Sequence, residues 1–176
     1  MTSSAAGGVA YQQHFLARAT AIFAGLLLLI SLGLVWFRVG GGSKGRVLEV
    51  TGLQSLLIGL GGSNPVRPRG GFTLTGLFAG TLPFLVVVCA AVALLALALL
   101  PRLRGVRPAS VVLSALATLL PIAMTLMSFT ILRATAVQPA LWIIFIAAAA
   151  GLWAAIAVSD PGPTQNPPSE PPAAPA

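Results

Sequence analysis

The sequence predicts an all-α membrane protein, a four-transmembrane-helix bundle with a small β-hairpin cap in its first loop. Three observations carry this. Of 176 residues, 57% are hydrophobic and only 7% charged, against about 25% charged in a soluble domain. Charge-free runs such as Gly70–Pro101 and Ser110–Leu132 are long enough, at ~1.5 Å per residue, to cross a ~30 Å hydrocarbon core. The basic residues gather at the ends of such runs, where Arg anchors to headgroups.

Residues 1–18 form a small, polar N-terminal segment expected to be flexible. It lacks a basic n-region, and no A-x-A pattern follows the first apolar run, so no cleaved signal peptide is expected. The sole histidine, His14, would be one metal ligand without a partner and reads as an interfacial polar residue. The first span covers 19–37, between Arg18 and Arg38, with Trp36 and Phe37 where an aromatic belt would lie. Ala21 and Gly25 make a small-xxx-small step that admits a close neighbour.

The loop 38–76 opens on Gly40-Gly41-Gly42 and contains an echo: Leu48-Glu49-Val50-Thr51-Gly52-Leu53 and Phe72-Thr73-Leu74-Thr75-Gly76-Leu77. β-favouring residues lead into Thr-Gly-Leu in both, which predicts that these two segments pair as antiparallel strands in a cap. Leu53, Leu56, Leu57 and Leu60 keep helical spacing, so a short interfacial helix follows the first strand.

The second span covers 77–100. Pro83 lies in its first turns, where a missing amide costs little, and Gly76 and Gly80 form a GxxxG read as local packing. Cys89 has no possible disulfide partner in the chain and reads as a small packing residue. Residues 101–108 make a short basic turn and hence a helix hairpin.

The third span, 110–132, carries the most specific pattern. Ser114, Thr118, Pro121, Thr125 and Ser128 fall within about 80° of one another at ~100° per residue, a narrow polar stripe on a Leu, Ile, Met and Ala helix. Lipid cannot bond a hydroxyl, so the stripe should face other helices. Pro121 removes one backbone hydrogen bond and should kink the helix; Thr118 or Thr125 is expected to satisfy the carbonyl it leaves free. The fourth span, 140–158, places Trp142 and Trp153 on one face and Ala147, Gly151 and Ala155 on a small-residue ridge. The Pro-rich segment 159–176 reads as a disordered tail.

The net charge of +7 and pI near 11.7 would suggest nucleic acid in a soluble protein; at helix ends the same residues are topology anchors, and no nucleic-acid partner is expected. The anchors are Arg18, Arg102, Arg104 and Arg107 on the side of the termini, and Arg38 and Arg133 opposite, with Lys44, Arg46, Arg67 and Arg69 in the long loop. The long loop holds more basic residues, but the tight turn holds them more densely, which places both termini on the cytoplasmic side of a bacterial inner membrane.

The order of parts resembles the small four-span proteins of bacteria typified by the tryptophan-associated transmembrane proteins. The strand-like Val47–Leu53, the Gly70–Leu77 approach to the second span and the basic turn Pro101–Pro108 carry the likeness over about residues 19–158. The resemblance implies a first span, a strand-forming external loop and three closely spaced spans. The layout is also similar to that of the claudin-type tetraspans, whose W-G-L-W and paired-Cys signature is absent here.

No Asp, Glu, His, Lys or Arg falls inside an expected span, so nothing there can relay protons or activate water. No triad, Cys/His metal pattern or phosphate-binding Gly loop is present in the sequence. The expectation is a non-catalytic protein without cofactor or metal, whose partners are the lipid bilayer and other membrane protein subunits. It would serve as an accessory or assembly subunit packing through its small-residue ridges. The alternative is passage or binding of a small neutral or lipidic molecule along the third-span stripe.

Overall fold

The computed structural model describes residues 3–40, 47–62, 77–100, 105–130, 136–137 and 139–159. Expectations for Phe72–Gly76, for Arg102, Arg104 and Arg133, and for the tail from Asp160 onward lie outside the described residues. In chain order the elements are α1 (Ser3–Ser31), β1 (Val35–Gly40), β2 (Val47–Thr51), α2 (Gly52–Gly59) and a π-helical turn (Leu77–Thr81). These are followed by α3 (Leu82–Leu99), α4 (Val106–Thr130), β3 (Ala136–Val137) and α5 (Pro139–Ser159).

Four helices are long and apolar enough to cross a membrane: Gln12–Ser31, Leu82–Leu99, Val106–Leu126 and Pro139–Val158. They close a ring in which α1 packs on α3 and α5, and α4 packs on the same two. Inside the ring many residues are small, packed among a few large ones such as Leu28, Leu94 and Ile144. Ala21, Ala24, Ala90, Ala91, Ala117 and Ala147 are buried, while Phe23, Leu85, Leu119 and Ile146 point outward. Apolar side chains gain nothing by leaving lipid for a protein interior, so close backbone approach decides what goes inside. Gly25 of α1 shows the closeness: a Cβ there would sit 2.9 Å from Leu95 Cγ and 3.2 Å from the Ala91 carbonyl oxygen of α3. Cys89, expected to pack, is exposed.

The first span differs from expectation at both ends. Its helix begins at Ser3 rather than residue 19 and stops at Ser31 rather than residue 37. At ~1.5 Å per residue its 29 residues measure about 43 Å, longer than a ~30 Å core, so its N-terminal turns extend beyond the hydrocarbon. The apolar part now includes His14 and Arg18. Arg18 is exposed, and helical Cβ bonds tilt toward the N-terminus, which aims its side chain back toward headgroups.

The chain turns at Leu32–Leu34 because the aromatic and β-branched residues that follow, Val35-Trp36-Phe37, enter a strand. β1 pairs antiparallel with β2, Phe37 opposite Val50 and Arg38 opposite Glu49, and its other edge pairs with β3, Phe37 opposite Val137. The sheet order is β2–β1–β3. A strand cap is therefore present, with β1, the nearest strand in sequence, as a partner of β2; Leu77 starts the π-helical turn, and the pairing expected of 72–76 lies outside the described residues. Through β3 the sheet also ties the first loop to the connection between α4 and α5.

The register slips between Val35 and Phe37. Consecutive residues of a regular strand point to opposite faces, and the bulge at Trp36 relaxes that rule, so Trp36 and Phe37 are both buried. Trp36 is thus no interfacial belt residue. Its Nε1–H donates to the Ser31 carbonyl at 2.8 Å, and Ser31 Oγ donates to the Leu28 carbonyl at 2.6 Å. The Ser31 carbonyl also accepts the Leu34 amide at 3.1 Å, so the indole adds a second donor at the end of α1, where carbonyls lack intrahelical partners. On the outer side of the sheet, Arg38 pairs with Glu49 at 2.8 Å, both about half exposed.

Candidate functional site between the third and fourth spans

Helical geometry places the stripe residues Ser114, Thr118, Pro121 and Thr125 along α4 as the spacing requires, but the hydroxyls of Thr118 and Thr125 turn back on their own helix. Thr118 Oγ1 donates to the Ser114 carbonyl at 2.7 Å, and Thr125 Oγ1 to the Pro121 carbonyl at 2.6 Å. Both are i−4 bonds of the kind Ser and Thr make within apolar helices. Neither reaches the Ala117 carbonyl, the one that Pro121 leaves without its amide donor, so that part of the expectation is corrected. Ser114 is fully buried, and its Oγ, like that of Thr81, has no partner among the described residues. Ser128 lies in α4, but its side chain is outside the described set.

Of the described stripe residues, Pro121 and Thr125 line a cleft. This half-open cleft of about 320 Å³ lies between α4 and α5, lined by Pro121, Ile122, Thr125, Leu126, Leu141, Trp142 and Phe145. With the Thr125 hydroxyl engaged on its own backbone, the lining is almost wholly apolar. Trp142 and Phe145 meet edge to face, centroids 6.2 Å apart, a favourable arrangement of ring quadrupoles. The late turns of α4 and the first turns of α5 form this cleft, so it lies in the half of the bundle nearer the cap. Leu141 and Phe145 escaped the sequence reading because an apolar residue in an apolar helix carries no signal of its own.

The small-residue ridges are spent within the bundle. Ala21 and Gly25 on α1, and Ala147, Gly151 and Ala155 on α5, are all buried, and a Cβ on Gly151 would lie 2.5 Å from Leu94 Cδ1 of α3. The outward face of α5 is different in kind. Trp142, Ile146 and Trp153 recur at helical spacing and are 55–63% exposed, with Ala149 and Ala150 between them. Of the anchors, Arg18, Arg38 and Arg107 are exposed, Arg38 in the cap and Arg107 at the start of α4, whereas Arg18 lies midway along α1. Among the described residues no three His, Cys, Asp or Glu side chains converge as metal ligands. No family model matches the chain, and no curated protein or solved structure matches it either.

Proposed function

We propose that this is a non-catalytic accessory or assembly subunit of a membrane complex, and that its partner packs on the outer face of α5. Trp153 carries the reading. It lies four residues past the midpoint of a 21-residue helix, about 6 Å from it at ~1.5 Å per residue, and is 55% exposed. Trp facing lipid belongs at the interface, where its indole N–H finds water or headgroups. Deep in hydrocarbon that donor stays unpaired at a cost of about 1–3 kcal/mol, which a neighbouring helix offering an acceptor removes. The Ala149 and Ala150 dip between the two Trp residues lets such a helix come close.

The test is extraction from native membranes in mild detergent with a photo-crosslinker at Trp153, and another at Leu119 on α4 as control. A stoichiometric partner crosslinked from Trp153 alone is expected, and Trp153→Ala should release it. A chain that emerges alone and uncrosslinked removes the reading. The sidedness that accompanies it, termini cytoplasmic in a bacterial inner membrane, is checked by labelling single Cys probes at Ser43 and Ser169 in a Cys89→Ala background.

The cleft favours a second reading, the binding of one apolar or lipidic molecule at Pro121 and Thr125. A concave, apolar wall with a kink-forming Pro suits a chain-like ligand. Native mass spectrometry should then find a bound small molecule in the wild type and none in Thr125→Phe, which fills the cleft. An identical spectrum from both proteins rules the cleft out as a binding site.

A further inference from the structure

The short helix α2 is built inside out for a helix lying in water. Its buried residues are Gly52, Ser55 and Gly59, whereas Leu53 and Leu57 within it and Leu60 just after it are 56%, 48% and 61% exposed. A water-facing amphipathic helix buries its leucines and exposes its small and polar residues. The spans of this protein do the reverse, and α2 follows the spans.

The backbone groups at its ends are also closed off. The four amides at its start, which an isolated helix leaves open, are all engaged. Thr51 N donates to Gln54 Oε1 at 3.0 Å and Gln54 N to Thr51 Oγ1 at 3.3 Å; Gly52 N donates to the Leu34 carbonyl at 3.3 Å and Leu53 N to the Leu32 carbonyl at 3.1 Å. At the other end Gly61, at φ +77°, lets the chain fold back. Gly61 N donates to the Ile58 carbonyl and Gly62 N to the Leu57 carbonyl, the paired bonds of a Schellman motif. Ser55 Oγ donates to the Gly52 carbonyl at 2.6 Å. Water makes such closure helpful; hydrocarbon makes it compulsory.

We propose that α2 is seated in the membrane, with Leu53, Leu57 and Leu60 against lipid acyl chains beside the start of the second span. Continuity with the lipid-facing surface of that span selects lipid as the occupant. The α2 backbone rests on the π-helical turn so closely that a Cβ on Gly80 would collide with the Ser55 carbonyl oxygen. Phe78, Leu82 and Leu85 of the turn and of α3 are themselves exposed. No charged residue occurs between Thr51 and Gly62 to hold the helix in water. The cap is therefore divided: its sheet carries the Arg38–Glu49 ion pair on an outer face, while its helix dips into the bilayer.

A nitroxide at Leu57→Cys, in a Cys89→Ala background reconstituted into phosphatidylcholine vesicles, distinguishes the alternatives. Collision with oxygen, which concentrates in hydrocarbon, is compared with collision with a polar nickel chelate, which stays in water. The ratio at Leu57 should match that at the span residue Leu85→Cys and exceed that at Glu49→Cys about tenfold, since a polar solute is excluded from hydrocarbon. A ratio equal to that at Glu49 overturns the proposal by placing α2 in water. Low access to both relaxants overturns it differently, by showing that protein covers the leucines. Leu53→Cys gives the same reading should Leu57→Cys fail to reconstitute.

Discussion

Gly80→Ala should be the most damaging single-methyl change among the described glycines of the bundle and cap. The added Cβ runs into the Ser55 carbonyl oxygen, with Ser55 C at 3.1 Å and Gly59 N at 3.2 Å behind it. All three atoms are backbone, so no side-chain rotation relieves the overlap, and α2 must retreat by about an ångström to restore ordinary contact. Overpacking of this kind costs about 1–3 kcal/mol, toward the upper end where neither side can yield. A Gly-to-Ala change in a helical segment returns up to about 1 kcal/mol, leaving a net loss of about 2 kcal/mol. For a chain of this size that lowers the melting temperature by about 4–8 °C, read by helical circular dichroism in maltoside micelles. Gly151→Ala is the internal control. Its Cβ meets only the Leu94 side chain, Cδ1 at 2.5 Å, which can turn aside, so cost and propensity gain nearly cancel. A Gly80→Ala protein melting within about 1 °C of wild type would refute the backbone contact between α2 and the second span.

Other substitutions separate structural bonds from ornamental ones. Trp36→Phe removes the indole donor from the buried Ser31 carbonyl and should cost about 1–2 kcal/mol, seen as an earlier thermal transition in the same detergent. Arg38→Ala breaks a pair that is half exposed on both sides, so chemical denaturation should register at most about 0.5 kcal/mol, and less at high salt. Thr118→Val deletes a hydroxyl bonded to its own helix; its melting should shift by less than about 1 kcal/mol, and partner crosslinking at Trp153 should be unchanged.

The four spans were legible because length and lack of charge suffice to mark them. The boundaries of the first were not. Leu32 to Phe37 is as apolar as the helix before it, and only the preference of Val35-Trp36-Phe37 for a strand separates the two. The echo between 48–53 and 72–77 did not disclose the partner that β2 does have, β1, which follows from the short connection between them; residues 72–76 lie outside the described residues. Periodicity lines the stripe residues along α4, yet it says where a hydroxyl sits and not which carbonyl it finds. For Thr118 and Thr125 the nearest acceptor is one turn back, so the stripe serves the helix before any ligand.

Hydrophobic periodicity sorts the faces of a soluble helix because water rejects one of them. In α3 and α5 nearly every residue is apolar, and polarity cannot say which face turns inward. Size can. Between residues 146 and 156 of α5 the inner positions are Ala147, Ala148, Gly151, Ala154 and Ala155, and the outer ones Ile146, Trp153 and Ile156, because small residues allow backbones to approach and lipid accommodates the large ones; nearer the cap, Leu141 and Ile144 are buried as well. The same sorting in α2, Gly52, Ser55 and Gly59 inward against Leu53, Leu57 and Leu60 outward, argues that its outer face meets lipid as theirs do. Trp153 is the exception that the size rule does not cover. Lipid accepts its ring but not its N–H, so a large residue on the outer face points to a partner only when it also carries a donor that hydrocarbon leaves unpaired.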